Sequence, residues 1–293
     1  MHVPVLPREC SELVVRDCFD GTFLDATCGL AGHTALIAGL LSSGRVLSCD
    51  RDAESLELAR ANVAAAGQEV LKRVHFLHCR FSQLRESIRA AGWERVDGLL
   101  ADLGVSMYQM TTAERGFSLR NSGILDMRMD RSEDGSAADI VNLWSERDIA
   151  DLLWELGEEG ASRKIARAIV RGRPIRTTGQ LAKLIEDLLP RATRTSPATK
   201  SFQALRMAVN REPEELDALL ESIPHLVKPG GRAAIISFMS LDDRKVKQAF
   251  QKLVRDGRAI AVTKKPLVPS EEEVYNNHAS RSAKLRVIEL VRE

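Results

Sequence analysis

Aromatic residues are scarce, with 8 Phe, 3 Trp and 2 Tyr among 293 residues. That argues against a broad base-stacking platform for single-stranded nucleic acid. Paired cysteines are missing too. Cys10, Cys18, Cys28, Cys49 and Cys79 are odd in number, widely spaced and without a C-x-x-C. Neither a disulfide framework nor a zinc site is written in such a pattern, and reduced thiols in a cytoplasm fit it best. There is no long apolar run. The longest uncharged stretch, residues 26–44, holds four glycines and His33 and is too polar to span a membrane. The start, Met1-His2-Val3-Pro4, has no basic segment leading into an apolar one, so no signal peptide is expected. Nor is there an excess of charge: 42 Lys+Arg face 41 Asp+Glu. This excludes a uniformly basic nucleic-acid coat and an acidic tail, but not a local patch. What is present, 44% hydrophobic and 28% charged residues, is ordinary for a soluble globular chain of one large or two small domains.

The first hundred residues alternate between two periods. Strands are expected over residues 22–27, 44–50, 73–79 and 96–102, with helices over 34–41, 53–66 and 83–91. Such alternation means crossover units and a parallel sheet covered on both faces. Between residues 106 and 215 no strand is expected. Helices are read over 148–156, 165–170, 181–189 and 202–209, with Ser145 and Asp148 as a capping box. Alternation resumes with a turn at 229–231, strands at 232–238, 259–264 and 284–291, and a helix at 242–254. The expected organisation is an α/β core in two parts, residues 1–107 and 216–293, interrupted by a helical insert over 108–215. Residues 163–211 of the insert hold 12 Lys/Arg and 2 Asp/Glu, a net +10. That concentration suggests a surface for a polyanion, the other reading being solvated basic helix faces.

Chemistry concentrates at three strand ends. Asp25-Ala-Thr-Cys-Gly-Leu-Ala-Gly-His33 falls where the first strand turns into the first helix, a place where glycines let the backbone approach a ligand. Asp50 ends the second strand, where a carboxylate can take both hydroxyls of a ribose. The glycine spacing lacks the middle glycine that a pyrophosphate requires, so S-adenosylmethionine fits better than a dinucleotide. The other reading is a tight turn beside a solvated Asp50. Asp102 ends the fourth strand and faces the substrate crevice, where it either accepts from a substrate amine or caps the next turn. His75 and His78 point to opposite faces of their strand, so no metal site is expected there. Met107, Met110, Met127 and Met129 are read as packing residues.

Further stretches extend the pattern over nearly the whole chain. They are His2-Val-Pro-Val-Leu6, Cys49-Asp-Arg-Asp52, Val96-Asp-Gly-Leu-Leu-Ala-Asp-Leu-Gly-Val-Ser106, Glu114-Arg-Gly-Phe-Ser118, Leu125-Asp-Met-Arg-Met-Asp130, Phe202-Gln-Ala-Leu-Arg-Met-Ala-Val-Asn210, Ser240-Leu-Asp-Asp-Arg244 and Arg281-Ser-Ala-Lys-Leu-Arg286. With the loop 25–33, these make the chain resemble the bacterial RsmH (MraW) family, which methylates the N4 amine of a cytidine in 16S ribosomal RNA with S-adenosylmethionine. The resemblance implies a class I, Rossmann-like methyltransferase core with a helical insert and a target at the ribosomal P site. It implies cofactor contacts at Ala31, Gly32, His33, Asp50, Phe81, Asp102 and Gln109. Three features depart from the family pattern: the usual glycine-rich turn reads Gly29-Leu-Ala-Gly-His33, Met107 follows Ser106 where a second serine is usual, and Met239 replaces a histidine.

Asp102 is then the expected acceptor from the N4 amine, and Lys164, Arg167 and Arg171, spaced to share one helix face, are the expected phosphate contacts. The small ribosomal subunit is the expected partner, with no membrane; the assembly state, a homodimer included, stays open. Two other readings remain at this point: a non-catalytic RNA-binding assembly factor on a degenerate fold, and an NAD-dependent dehydrogenase.

Overall fold

The computed structural model describes residues 4–190 and 195–291. The chain divides into two compact units, Met1–Gly104 with Pro213–Glu293, and Val105–Glu212. These junctions fall three residues before those read from the sequence. At the first, Val105 and Ser106 belong with the helix that Ser106 caps; at the second, one helix runs through the junction from Glu212.

The seven strands are β1 (Thr22–Asp25), β2 (Arg45–Asp50), β3 (Val74–His78), β4 (Val96–Asp102), β5 (Val227–Ser237), β6 (Ala259–Ala261) and β7 (Lys284–Leu290). Five helices accompany the first four: α1 (Pro7–Val15), α2 (Gly32–Leu40), α3 (Ala53–Ala66), α4 (Gln68–Lys72) and α5 (Leu84–Ala90). The second unit holds α6 (Met107–Thr111), α7 (Ala137–Leu143), α8 (Glu146–Gly157), α9 (Ser162–Arg171), α10 (Thr178–Leu188) and α11 (Thr199–Val209). Then come α12 (Glu212–Leu226), α13 (Ser240–Arg255) and α14 (Glu271–Asn276).

All strands form one sheet in the order β3-β2-β1-β4-β5-β7-β6. The first five run parallel, while β7 is antiparallel to both β5 and β6. The parallel sheet expected from the first four strands extends to β5; β7 reverses because the connection from β6, which carries α14, leaves and re-enters the sheet at the same carboxyl end, where Lys284 pairs with Ser237. The expected turn at 229–231 lies inside β5. Pairing with β4 jumps from Val96–Val227 to Gly98–Arg232, so the extra residues form a bulge, with Gly230 at φ +80°.

Alternate residues of the buried strands feed two cores, as strands covered on both faces require. Phe23, Val46 and Leu100 pack with residues of α1, α2 and α3. Leu24, Leu47 and Leu99 pack with residues of α5, α12 and α13. Helix α1 sits tightly on β4: a Cβ at Gly98 would meet Val14 Cγ1 at 2.7 Å. The architecture is the Rossmann-like α/β class I fold that the resemblance implies. Two of the resembling stretches meet here, where Asp243 receives Arg286 Nε at 2.7 Å and Lys284 Nζ at 3.3 Å.

The second unit has its own core, built from Leu125, Met127, Ile140, Leu153, Ile165, Ile169, Leu181, Ile185 and Leu205, among others. Its remaining resembling stretches meet in one knot. Buried Arg115 donates to the carbonyls of Arg128 and Met129, and Asn210 bonds the Met127 carbonyl and the Met129 N–H. Ser145 caps α8 through the Asp148 N–H, but the Asp148 side chain returns to the Ser145 hydroxyl, so the reciprocal half of the box is not made. Of the four methionines read as packing residues, Met127 and Met129 are buried. Met107 and Met110 are exposed, because α6 has one turn of core-facing surface and Gln109 occupies it.

Candidate active site

Three adjacent parallel strands end in a carboxylate: β2 at Asp50, β1 at Asp25 and β4 at Asp102. The first strand is flanked by one crossover on each side, which makes its carboxyl end the switch point where α/β sheets bind ligands.

The loop from β1 into α2 is tied down from every side. Asp25 is buried and accepts the Thr27 N–H at 3.1 Å and the Thr34 hydroxyl at 2.6 Å. Thr34 meets the Ser48 hydroxyl on β2 at 2.6 Å. Thr27 in turn accepts the Asp102 N–H at 2.6 Å, which couples the loop to β4. Gly29 and Ala31 both take left-handed conformations, at φ +50° and +65°, and their reversal aims the start of α2 back over the sheet. Ala31 has a Cβ and pays a steric cost there that glycine does not.

Asp50 is half-buried. One oxygen accepts the Gly29 N–H at 2.7 Å and the other the Asp52 N–H at 2.9 Å. Burial pushes its carboxyl up to about 6, against the pull of those two bonds. Burial likewise raises Asp25. Asp52 caps α3 by accepting from the N–H groups of Glu54 and Ser55.

His33, in the first turn of α2, is buried with Nε2 3.7 Å from Asp102 Oδ2. Burial favours its neutral ring, but the carboxylates of Asp102, Asp25 and Glu273 outweigh that and hold the imidazole above its ordinary value. Phe81 follows β3 at the same sheet edge, opens a 3₁₀ turn and is partly buried against the core. Ala31, Gly32, His33, Asp50, Phe81 and Asp102 thus all lie at the carboxyl edge of the sheet. Gln109 belongs to the second unit, where it is buried and its Oε1 accepts the Ser106 N–H at 2.9 Å.

The network of Asp25, Thr27, Thr34 and Ser48 went unread in the sequence. A buried polar residue ending an otherwise apolar strand is the one signal that marks Asp25. His75 and His78 have other partners: His75 packs edge-on against Trp93 with ring centroids 5.9 Å apart, and His78 Nε2 lies 2.9 Å from the Arg51 carbonyl.

On α9, Lys164, Arg167 and Arg171 are exposed opposite buried Ile165 and Ile169. Two of the three already have partners. Lys164 Nζ donates to the Leu188 carbonyl at 3.1 Å, closing the end of α10, and Arg167 lies 3.4 Å from Glu146. Arg191 and Arg194 of the basic segment, and His2 and Val3 at the start, lie outside the described residues.

The comparisons with known proteins span this whole arrangement. The chain is 54% identical over 291 residues to the ribosomal RNA small subunit methyltransferase H of Solibacter usitatus, covering 99% of this chain and 100% of that one. The protein of the same name from Acaryochloris marina is 45% identical over 295 residues, covering 99% and 94%. That from Acidobacterium capsulatum is 44% identical over 295 residues, covering 98% of each. The model of one family, described as the MraW methylase family, matches residues 1–291. With the core, the site loop and the insert all inside that match, the chain belongs to the MraW methylase family.

Proposed function

We propose that this chain transfers the methyl group of S-adenosylmethionine to small-subunit ribosomal RNA, and that the acceptor is the N4 amine of a P-site cytidine in 16S RNA. The observation that carries the reading is the placement of the 25–33 loop, Asp50 and Asp102 on the ends of three adjacent parallel strands, in a chain of a methylase family. The names of the relatives support the RNA. Family membership favours methyl transfer over hydride transfer, and the specific amine rests on the resemblance and on Asp102.

The residues fit a nucleoside cofactor that carries no phosphate. Asp50 retains lone pairs for ribose hydroxyls after accepting its two backbone N–H groups. Ala31, Gly32 and His33 bring backbone and a buried imidazole to the same edge, and Phe81 offers an apolar face for a base. Gln109 is carried as a cofactor contact by the resemblance alone. When bound, S-adenosylmethionine supplies an activated methyl group on a sulfonium.

The protein then has to orient a poor nucleophile, since the N4 lone pair is delocalised into the cytosine ring. Asp102 has one oxygen near His33 and one without a partner. Accepting an N4 hydrogen on this partly exposed carboxylate would turn the lone pair toward the methyl and stabilise the positive charge that develops on nitrogen. Such preorganised stabilisation is worth about 3–4 kcal/mol at other sites. A base inside folded RNA has to be extruded to reach such a pocket, at a cost of a few kcal/mol. Lys164, Arg167 and Arg171 would hold phosphates of the surrounding RNA.

Incubation of the protein with small-subunit particles and methyl-labelled S-adenosylmethionine tests the reading. Label in N4-methylcytidine at one 16S position is the expected result; label in protein only, or in another base, overturns it.

A further inference from the structure

His33 and Asp102 form a pair that the structure leaves electrically incomplete. Their 3.7 Å separation is within ion-pair reach but too long for a hydrogen bond. Among the described residues, His33 Nε2 and Asp102 Oδ1 are both buried atoms without a hydrogen-bond partner. Buried polar atoms are nearly always satisfied, so two orphans on neighbouring side chains need a reason. The charges that act on the imidazole are the carboxylates of Asp102 on β4, Asp25 on β1 and Glu273 on α14, and all three favour its positive form. Glu273 is itself fixed, accepting the Leu6 N–H at 2.8 Å, and Asp25 is fixed by Thr27 and Thr34. A positive imidazolium would therefore settle here among three carboxylates, two of them held by hydrogen bonds.

Methylation of an exocyclic amine produces a proton that must go somewhere. The nitrogen lone pair forms the new N–C bond, the S–C bond breaks with its electron pair left on sulfur, and the nitrogen sheds one N–H proton. Resting on the reading of Asp102 as the group that touches the amine, we propose that His33 takes up this proton through Asp102, the two side chains acting as one proton-holding pair. Asp102 receives the proton on its partly exposed carboxylate and passes it to Nε2, which lies 3.7 Å from Oδ2. The resulting imidazolium closes the 3.7 Å gap as an ion pair, and the proton leaves to solvent after product release. His33 is in this scheme a positioning residue that acts behind Asp102. The neutral ring is the working form, so turnover rises with pH through the His33 titration.

Two measurements test this. The first follows the His33 imidazole by NMR in the wild-type protein and in Asp102→Asn, without substrate or cofactor. Removing a carboxylate at this distance should lower the imidazole titration point by about one pH unit or more, a tenfold loss of proton affinity. The second is single-turnover methyl transfer to small-subunit particles at saturating S-adenosylmethionine, from pH 5.5 to 8.5. The wild-type rate should fall about tenfold per pH unit below the His33 titration point. His33→Gln keeps a polar N–H that cannot titrate; it should lose about tenfold or more in rate at pH 8 together with that acidic limb. An imidazole titration unchanged in Asp102→Asn, or a His33→Gln profile that keeps the wild-type limb, overturns the role of His33 while leaving Asp102 on the amine. Full turnover by Asp102→Asn overturns the amine-acceptor reading and the proton pair with it. The NMR arm needs no His33 variant to be active or stable.

Discussion

The carboxylate of Asp50, at the end of β2, accepts the backbone N–H of Gly29 at 2.7 Å and so fixes the loop that leaves β1. One side chain thereby shapes the loop and presents oxygens beside it. Its carboxyl titrates at about 6 in the folded protein, against an ordinary value of 3.8. Between those values the folded state binds more protons than the unfolded one. This group alone therefore adds stability as pH falls from about 6 toward 4, and penalises the fold above 6. Binding of a ribose has the opposite sign, because its hydroxyls donate to the ionised form. S-Adenosylmethionine affinity should drop about tenfold between pH 7.5 and pH 5. Asp50→Ala should cost about 1.5–3 kcal/mol of binding at pH 7.5. Titration calorimetry across this range checks both, and an affinity independent of pH and of Asp50 contradicts the ribose role.

Ala31 holds a left-handed conformation, φ +65°, as the residue preceding α2. Glycine adopts it without the Cβ clash, which is worth about 1–2 kcal/mol, partly offset by about 0.5–1 kcal/mol of extra entropy in the unfolded chain. Ala31→Gly should raise stability by about 0.5 kcal/mol and leave S-adenosylmethionine affinity within about threefold, as its backbone reaches the same conformation. Urea unfolding checks the first and calorimetry the second. A destabilised variant would mean that the Ala31 methyl contributes more as a buried core group than its conformation costs.

The parts legible in the sequence are the local ones. The apolar period of Leu56, Ala59 and Val63 and the stop at Gly67 fix α3, found at Ala53–Ala66. Asp50 and Asp102 stand at strand ends because buried strands stop where charge begins. What could not be read depends on partners distant in sequence. The direction of β7 is set by its pairing with β5 across some fifty residues. Asp25 acquires its role from Thr34 and Ser48, 9 and 23 residues away. Glu273 reaches the His33 environment from near the far end of the chain. The stretches 114–118, 125–130 and 202–210 were visible as motifs. Their reason, the knot of Arg115, Asn210 and the 127–129 backbone, exists only in three dimensions.

Asp102→Asn removes the negative charge but keeps the shape. If Asp102 acts on the amine mainly in the transition state, single-turnover methyl transfer should fall about 100-fold. S-Adenosylmethionine binding should weaken far less. Rapid-quench kinetics on small-subunit particles measures the first and calorimetry the second. Equal losses in both would make Asp102 a cofactor ligand rather than the amine acceptor.

Neutralising Lys164, Arg167 and Arg171 together should weaken RNA binding and leave cofactor affinity intact. Because Arg167 already pairs with Glu146 and Lys164 closes α10, the salt dependence should flatten by about 1–2 in log–log slope rather than by the full value for three phosphates. Binding isotherms at several salt concentrations decide it. A triple variant with wild-type affinity and slope would remove this face of α9 from the RNA surface.

The most direct measurement places the methyl group. Small-subunit particles carrying unmethylated 16S RNA are incubated with the protein and methyl-labelled S-adenosylmethionine, and the RNA is digested and mapped by mass spectrometry. One added methyl on N4 of a single P-site cytidine, abolished by omitting the protein and strongly slowed in Asp102→Asn, is the expected result. No methyl on the RNA, or one on a ring carbon, a ribose or a different base, would contradict it.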